Sequence, residues 1–130
     1  MSIELTEVKT YDGPRRAVVQ ASAMTVDDAA PYDLTLATLV DLSALSPVPE
    51  SVRVDTIDGG VEFGVVELYW EAVPPVRLAV LSGNALNFDY STTGPLRRPP
   101  ESTGNILIST VGFAPTSTLM LEIGLLKRVV

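Results

Sequence analysis

The chain has 130 residues, 46% of them hydrophobic and 19% charged, with sixteen Asp and Glu against nine Lys and Arg for a net charge of −7. That length suits one domain able to bury roughly two-thirds of its unfolded surface, and the apolar content excludes a disordered chain. Histidine and cysteine are both absent, which removes the histidine base, Ser-His and Cys-His nucleophile pairs, disulfides and sites built on thiolate or imidazole ligands.

The first seven residues carry neither a basic region nor an apolar one, so no secretory signal is expected. Ile3 and Leu5 alternate with Glu4 and Thr6, and residues 1–16 are expected to form an N-terminal arm or edge strand ahead of a single β-sandwich domain over 17–130. Asp12-Gly13-Pro14 marks a turn, and Arg15 to Met24 follows as a strand, although its alanines leave a helical reading open. Thr25 to Pro31 is small and acidic, a loop in which Asp27 and Asp28 are expected to be solvated. Asp33 to Val40 alternates as a strand, Asp41 to Ser46 could make one short helical turn, and Ser46-Pro-Val-Pro49 ends both patterns.

Ser51 to Ile57 and Val61 to Trp70 flank Asp58-Gly59-Gly60, which predicts a hairpin turned at the glycines. Pro74-Pro75 ends the second of these strands, Val76 to Leu81 forms another, Ser82-Gly83-Asn84 turns, and Leu86, Phe88 and Tyr90 resume the alternation. Ser91 to Gly104 reads as an extended loop. Asn105 to Val111 and Thr118 to Leu126 then predict a second hairpin around Gly112 and Pro115, with Leu119, Leu121, Ile123 and Leu125 on one wholly apolar face. About eight short strands without a crossover helix predict an all-β, antiparallel two-sheet sandwich of jelly-roll type.

Carboxylates alone can hydrolyse glycosides, and Asp55, Asp58, Glu62, Glu67, Glu71 and Asp89 are the candidates. Turn chemistry accounts for Asp58, and outward or strand-end positions account for the others, so no enzyme is expected. Residues 55–60 lack the alternating acidic ligands and closing glutamate of a calcium loop, and no phosphate-binding, dinucleotide or nucleophile-elbow motif occurs. No metal or cofactor is therefore expected. The acidic balance repels nucleic-acid phosphates, and no apolar run approaches the ~20 residues that cross a bilayer, so neither nucleic acid nor membrane is an expected partner. Arg15-Arg16 and Arg97-Arg98 are basic pairs beside turns, which could engage a partner's carboxylates or simply be solvated. Tyr69, Trp70 and Tyr90 could stack on sugars, against the competing reading as core or interface.

Five segments in order carry a resemblance: Tyr11-Asp-Gly-Pro-Arg-Arg-Ala-Val-Val19, Leu42 to Pro49, Val66-Glu-Leu-Tyr-Trp-Glu-Ala72, Thr103 to Gly112, and Leu119 to Lys127. Together they resemble small tailed-bacteriophage virion structural proteins. Asn105 stands where such proteins usually carry an acidic residue, and the turn Phe113-Ala-Pro-Thr-Ser lacks their Gly-Asp. The resemblance implies a capsid decoration or cement protein, made in the host cytoplasm and placed on the capsid exterior. Its implied partners are the major capsid protein and further copies of itself, as a dimer or trimer. The arm of residues 1–16 and the 91–104 loop would make the contacts, with Tyr11, Arg15, Arg16, Arg97 and Arg98 as candidate contact residues. The alternative is a lectin-like or host-recognition module using Trp70 and Tyr90.

Overall fold

The computed structural model describes residues 3–25, 32–90 and 94–128. Its strands are β1 (Ile3–Asp12), β2 (Arg16–Thr25), β3 (Ala37–Val40), β4 (Ser51–Trp70), β5 (Val76–Asp89), β6 (Leu96–Arg97), β7 (Ile106–Val111) and β8 (Thr118–Arg128). A 3-10 turn covers Leu42–Ala44, where the sequence allows a short helical turn, and the Asp41 side chain caps it by accepting the Ser43 N–H at 2.9 Å. All pairings are antiparallel and link the eight strands into one sheet ordered β1-β2-β8-β4-β7-β3, with β5 and β6 also paired to β4. The all-β antiparallel expectation is met. The jelly-roll sandwich is not established, because β4 joins what would be separate layers into one sheet that nearly closes as a barrel.

Both sequence-predicted hairpin turns at glycine are corrected. Asp58-Gly59-Gly60 lies inside β4, which runs unbroken for 20 residues. Gly59 is required there for a different reason: its φ is +137°, and a Cβ on it would sit 1.9 Å from the Met120 carbonyl oxygen on β8. Gly59→Ala is therefore expected to cost ~1–3 kcal/mol from backbone strain alone, with the clash added, read as a lowered urea midpoint. An unchanged midpoint would mean that β4 and β8 do not approach so closely. The chain reverses instead at 71–75, after Trp70, so that β4 and β5 form one long hairpin from Trp70↔Val76 to Thr56↔Asp89. The expected turn at Ser82-Gly83-Asn84 is likewise absorbed into β5 as a register shift, with Gly83 and Ala85 at positive φ.

The other hairpin, around Gly112 and Pro115, is not one. β7 and β8 pair with β4 in succession, β7 against Val65 to Trp70 and β8 against Ser51 to Glu62. The segment between them folds inward: Phe113 is buried, its N–H donates to Asp33 Oδ1 at 2.9 Å, and the Ser117 hydroxyl donates to the Phe63 carbonyl at 2.6 Å. Burial of that aromatic ring, together with these bonds, outweighs the local preference for a tight turn. A further departure is the strand read over Asp33 to Val40, which shortens to β3 because the backbone of Leu34 is taken by Thr110: its N–H donates to Thr110 Oγ1 at 2.8 Å and its carbonyl accepts the Thr110 N–H at 3.0 Å. Within the expected loop of 91–104, β6 pairs with β4; residues 91–93 and the loop of 26–31 with Asp27 and Asp28 lie outside the described residues.

The apolar face read in the last strand is observed: Leu119, Leu121, Ile123 and Leu125 are all buried, the last three completely. They join Val19, Ala21, Ile57, Leu68, Trp70, Leu39, Ile106 and Ile108 in one core. β1 stands at one end of the strand order, and Lys9 Nζ on it donates to the Ala44 carbonyl at 2.6 Å, drawing β1 toward the turn after β3.

Candidate partner-docking surface

Strand alternation decides which way each charge points at the end of the sheet where β2 and β4 begin and β8 finishes. Ala17, Val52, Val54 and Leu125 point inward and are buried. Their neighbours point outward, and the register aligns them in one row across four strands: Arg16↔Leu126, Leu126↔Arg53, Arg53↔Arg97. Arg128 lies two residues beyond Leu126 on β8, and Arg15 sits in the β1–β2 connection. Of the nine basic residues, all but Lys9 and Arg77 are gathered here. They line two open grooves, one of about 740 Å³ that includes Arg15, Arg53 and Arg128, and one of about 210 Å³ that includes Arg53, Arg97 and Arg98.

The basic residues at this end play different parts. Arg16 reaches over Gly124 to an ion pair with Asp55, an acidic residue at the β4 register shift that is only 4% exposed. One Asp55 oxygen takes that contact and the other, Oδ1, has no hydrogen-bond partner among the described residues. The side chain of Lys127 is completely buried in its pairing with Asp12. Burial opposes the charged form of Asp12, but hydrogen bonds from Lys127 and the Ser46 N–H, with the nearby charges of Lys127 and Lys9, hold its pKa below the ordinary value. Arg98 donates to the carbonyls of Ser102 at 2.9 Å, Pro99 at 3.3 Å and Pro100 at 3.4 Å, closing the turn that follows β6. Arg15, Arg53, Arg97 and Arg128 are exposed and have no ion-pair partner among the described residues.

Thus the structure brings the five sequence-proposed contact residues to one end and divides them. Arg15 and Arg97 are free to meet a partner. Tyr11, 55% exposed, is on β1 across from Val18 and lies against Gly13, where a Cβ would come within 2.5 Å of its hydroxyl. Arg16 and Arg98 are engaged within the fold. Arg53 and Arg128 belong to the same surface and were not singled out by sequence; Arg53 alternates with Val52 and Val54, which signals that it points outward, but its neighbours across the sheet are set by pairing.

Several of the residues considered for other chemistry have structural employment. Trp70 is 2% exposed, so it cannot serve as the sugar platform of the lectin-like alternative. Tyr69 donates to Glu67 at 3.1 Å, and Arg77 both pairs with Glu67 at 2.7 Å and lies 6.0 Å above the Tyr69 ring. Glu71 accepts from Thr103 at 2.8 Å and from Asn105 at 3.3 Å, tying the β4–β5 turn to the segment before β7. Among the described residues, no group of three or more acidic side chains is placed to hold a metal ion, and no helix is long and apolar enough to cross a membrane.

Fold and surface together define an all-β, barrel-like antiparallel protein with an arginine-lined end. No protein-family model, no curated protein and no solved structure matches the chain.

Proposed function

We propose that the protein is a non-enzymatic virion structural protein of a tailed bacteriophage, a capsid decoration or cement protein that stabilises the shell by bridging major capsid protein subunits on the exterior. The same reading takes the bent sheet as a sandwich of jelly-roll type and the working form as a homo-oligomer, dimer or trimer. The resemblance of the five segments supports the virion assignment, and the observation that carries the docking part is the set of exposed, unpaired arginines on a protein of net charge −7. Such a surface steers toward carboxylates, and an arginine can hold a carboxylate through two parallel hydrogen bonds. Contacts repeated over a closed lattice add, so modest burial per copy hardens a shell.

The test is binding of the purified protein to undecorated shells of the parent particle. Arg15→Glu with Arg128→Glu is expected to weaken binding about tenfold or more, a loss of ~1.4 kcal/mol, and salt is expected to weaken the wild type in the same direction. A particle map with this protein confined to the tail or to the interior would overturn the assignment. The stack of exposed Phe88 on partly buried Tyr90, centroids 6.4 Å apart and planes 9° apart, favours a second reading, a carbohydrate-binding module on the virion. Glycan binding lost in Phe88→Ala with the fold intact would support it.

A further inference from the structure

The outer face of β2, β8 and β4 carries two rows of like charge with opposite signs. Arg53 faces Arg97 directly across β4 and β6. Asp58 faces Glu122 directly across β4 and β8, with Gln20 and Asn87 completing that row. Like charges directly opposite one another in a sheet destabilise it, and none of these four side chains has an ion-pair partner among the described residues. The isolated fold therefore holds two repulsive pairs on one face, of opposite sign and about 13 Å apart along the strands.

Between the rows the face is low. Val18, Gly124 and Thr56 form the intermediate row, which ends at Asp89 on β5, and Arg16 lies across Gly124 to reach Asp55. We propose that this face is a self-complementary interface that docks a second copy of the chain, with the strands of the two copies stacked antiparallel. The twofold axis lies in the interface, perpendicular to the strands, at the level of Thr56 and Gly124. That operation sets Arg53 of one copy over Asp58 of the second copy, Arg97 over Asn87 beside that aspartate, and Glu122 of the second copy over Leu126 beside Arg53. In a twofold interface an off-axis patch meets the patch at the same distance on the other side of the axis, and the two rows lie at such positions. Face-to-face packing of sheets supplies the geometry, and pairing across it removes both like-charge conflicts at once. The inference deepens the oligomer part of the proposed function and rests on that part alone.

The test uses purified full-length protein and sedimentation velocity, with no shell present, so its outcome is separate from that of the shell-binding assay. The wild type is expected to sediment as a dimer in low salt and to dissociate at about 1 M salt, where the Debye length is ~3 Å. Arg53→Glu with Arg97→Glu should be monomeric, as should Asp58→Arg with Glu122→Arg. An equimolar mixture of these two variants should recover the dimer, because each then presents the charges that the other lacks. The single variant Arg53→Glu should raise the thermal midpoint of the monomer while weakening association, since it places a glutamate opposite Arg97. A wild type that stays monomeric at the highest soluble concentration, dimers that persist in both double variants, or a mixture that stays monomeric would each overturn the proposal. If either double variant fails to fold, the wild-type salt titration decides the outcome.

Discussion

Replacing Leu121 by aspartate is expected to abolish the folded state. Leu121 is completely buried on β8, between Ala21 of β2 and Gly59 of β4, and belongs to the single apolar core. Its removal costs ~2–5 kcal/mol in lost burial and cavity, as for Leu→Ala, and the carboxylate must then either stay ionised without a partner or take up a proton. The sum approaches or exceeds a typical domain stability of ~5–15 kcal/mol. Circular dichroism and hydrogen exchange of the purified variant would check this, with loss of the cooperative transition as the expected reading. A soluble, cooperatively folding Leu121→Asp would mean that the β8 face is covered by a partner rather than by the core. Leu121→Ala should remain folded but weakened.

The second large effect concerns a charge. Asp12→Ala leaves the Lys127 ammonium, completely buried, with only the Pro47 carbonyl at 3.3 Å. Breaking one partner of a buried pair costs about 3–5 kcal/mol, whereas replacing both by apolar groups is often close to neutral. Asp12→Ala should therefore lose several kcal/mol in urea denaturation, and Asp12→Ala with Lys127→Met should recover most of the loss. A single-variant loss below ~1 kcal/mol would show that Lys127 reaches solvent. The same tie sets an acid limit. Because the folded pKa of Asp12 lies below its ordinary unfolded value of ~3.9, its stabilisation is fully present above that value and is lost as pH falls through the folded pKa. Wild-type stability should thus decline below about pH 4, and the Asp12→Ala variant should show a shallower decline.

The two ties at this end, Arg16 to Asp55 and Lys127 to Asp12, also explain why the surface is selective about which cations it exposes. They join β2 to β4 and β8 to the end of β1, so the arginines left over are carried on a framed and rigid rim. Pre-ordering of that kind lowers the entropy lost on docking.

Strand character was legible in the chain because period-two alternation is local: the Leu119, Leu121, Ile123 and Leu125 face and the outward direction of Arg53 follow from it, as does the strand read over Arg15 to Met24, observed as Arg16–Thr25, where alanines left a helical reading open. The glycine signals misled for a physical reason. A glycine satisfies a tight turn and a close interstrand approach equally well, and nothing within Asp58-Gly59-Gly60 says that Met120 will lie against it. The same holds for Gly112 and Pro115, where burial of Phe113 and the long-range bonds to Asp33 and Phe63 decide that β7 and β8 follow one another along β4.

Composition and alternation by themselves determined an acidic, all-β chain whose closing strand has one wholly apolar face and with basic pairs beside its turns, since each of these is a property of neighbours along the backbone. The tertiary structure decided that Arg15, Arg53, Arg97 and Arg128 share one end and that Arg53 opposes Arg97 while Asp58 opposes Glu122. Register between strands far apart in sequence is set by the summed fit of the core and by bulges such as that at Asp55, and no local pattern encodes it.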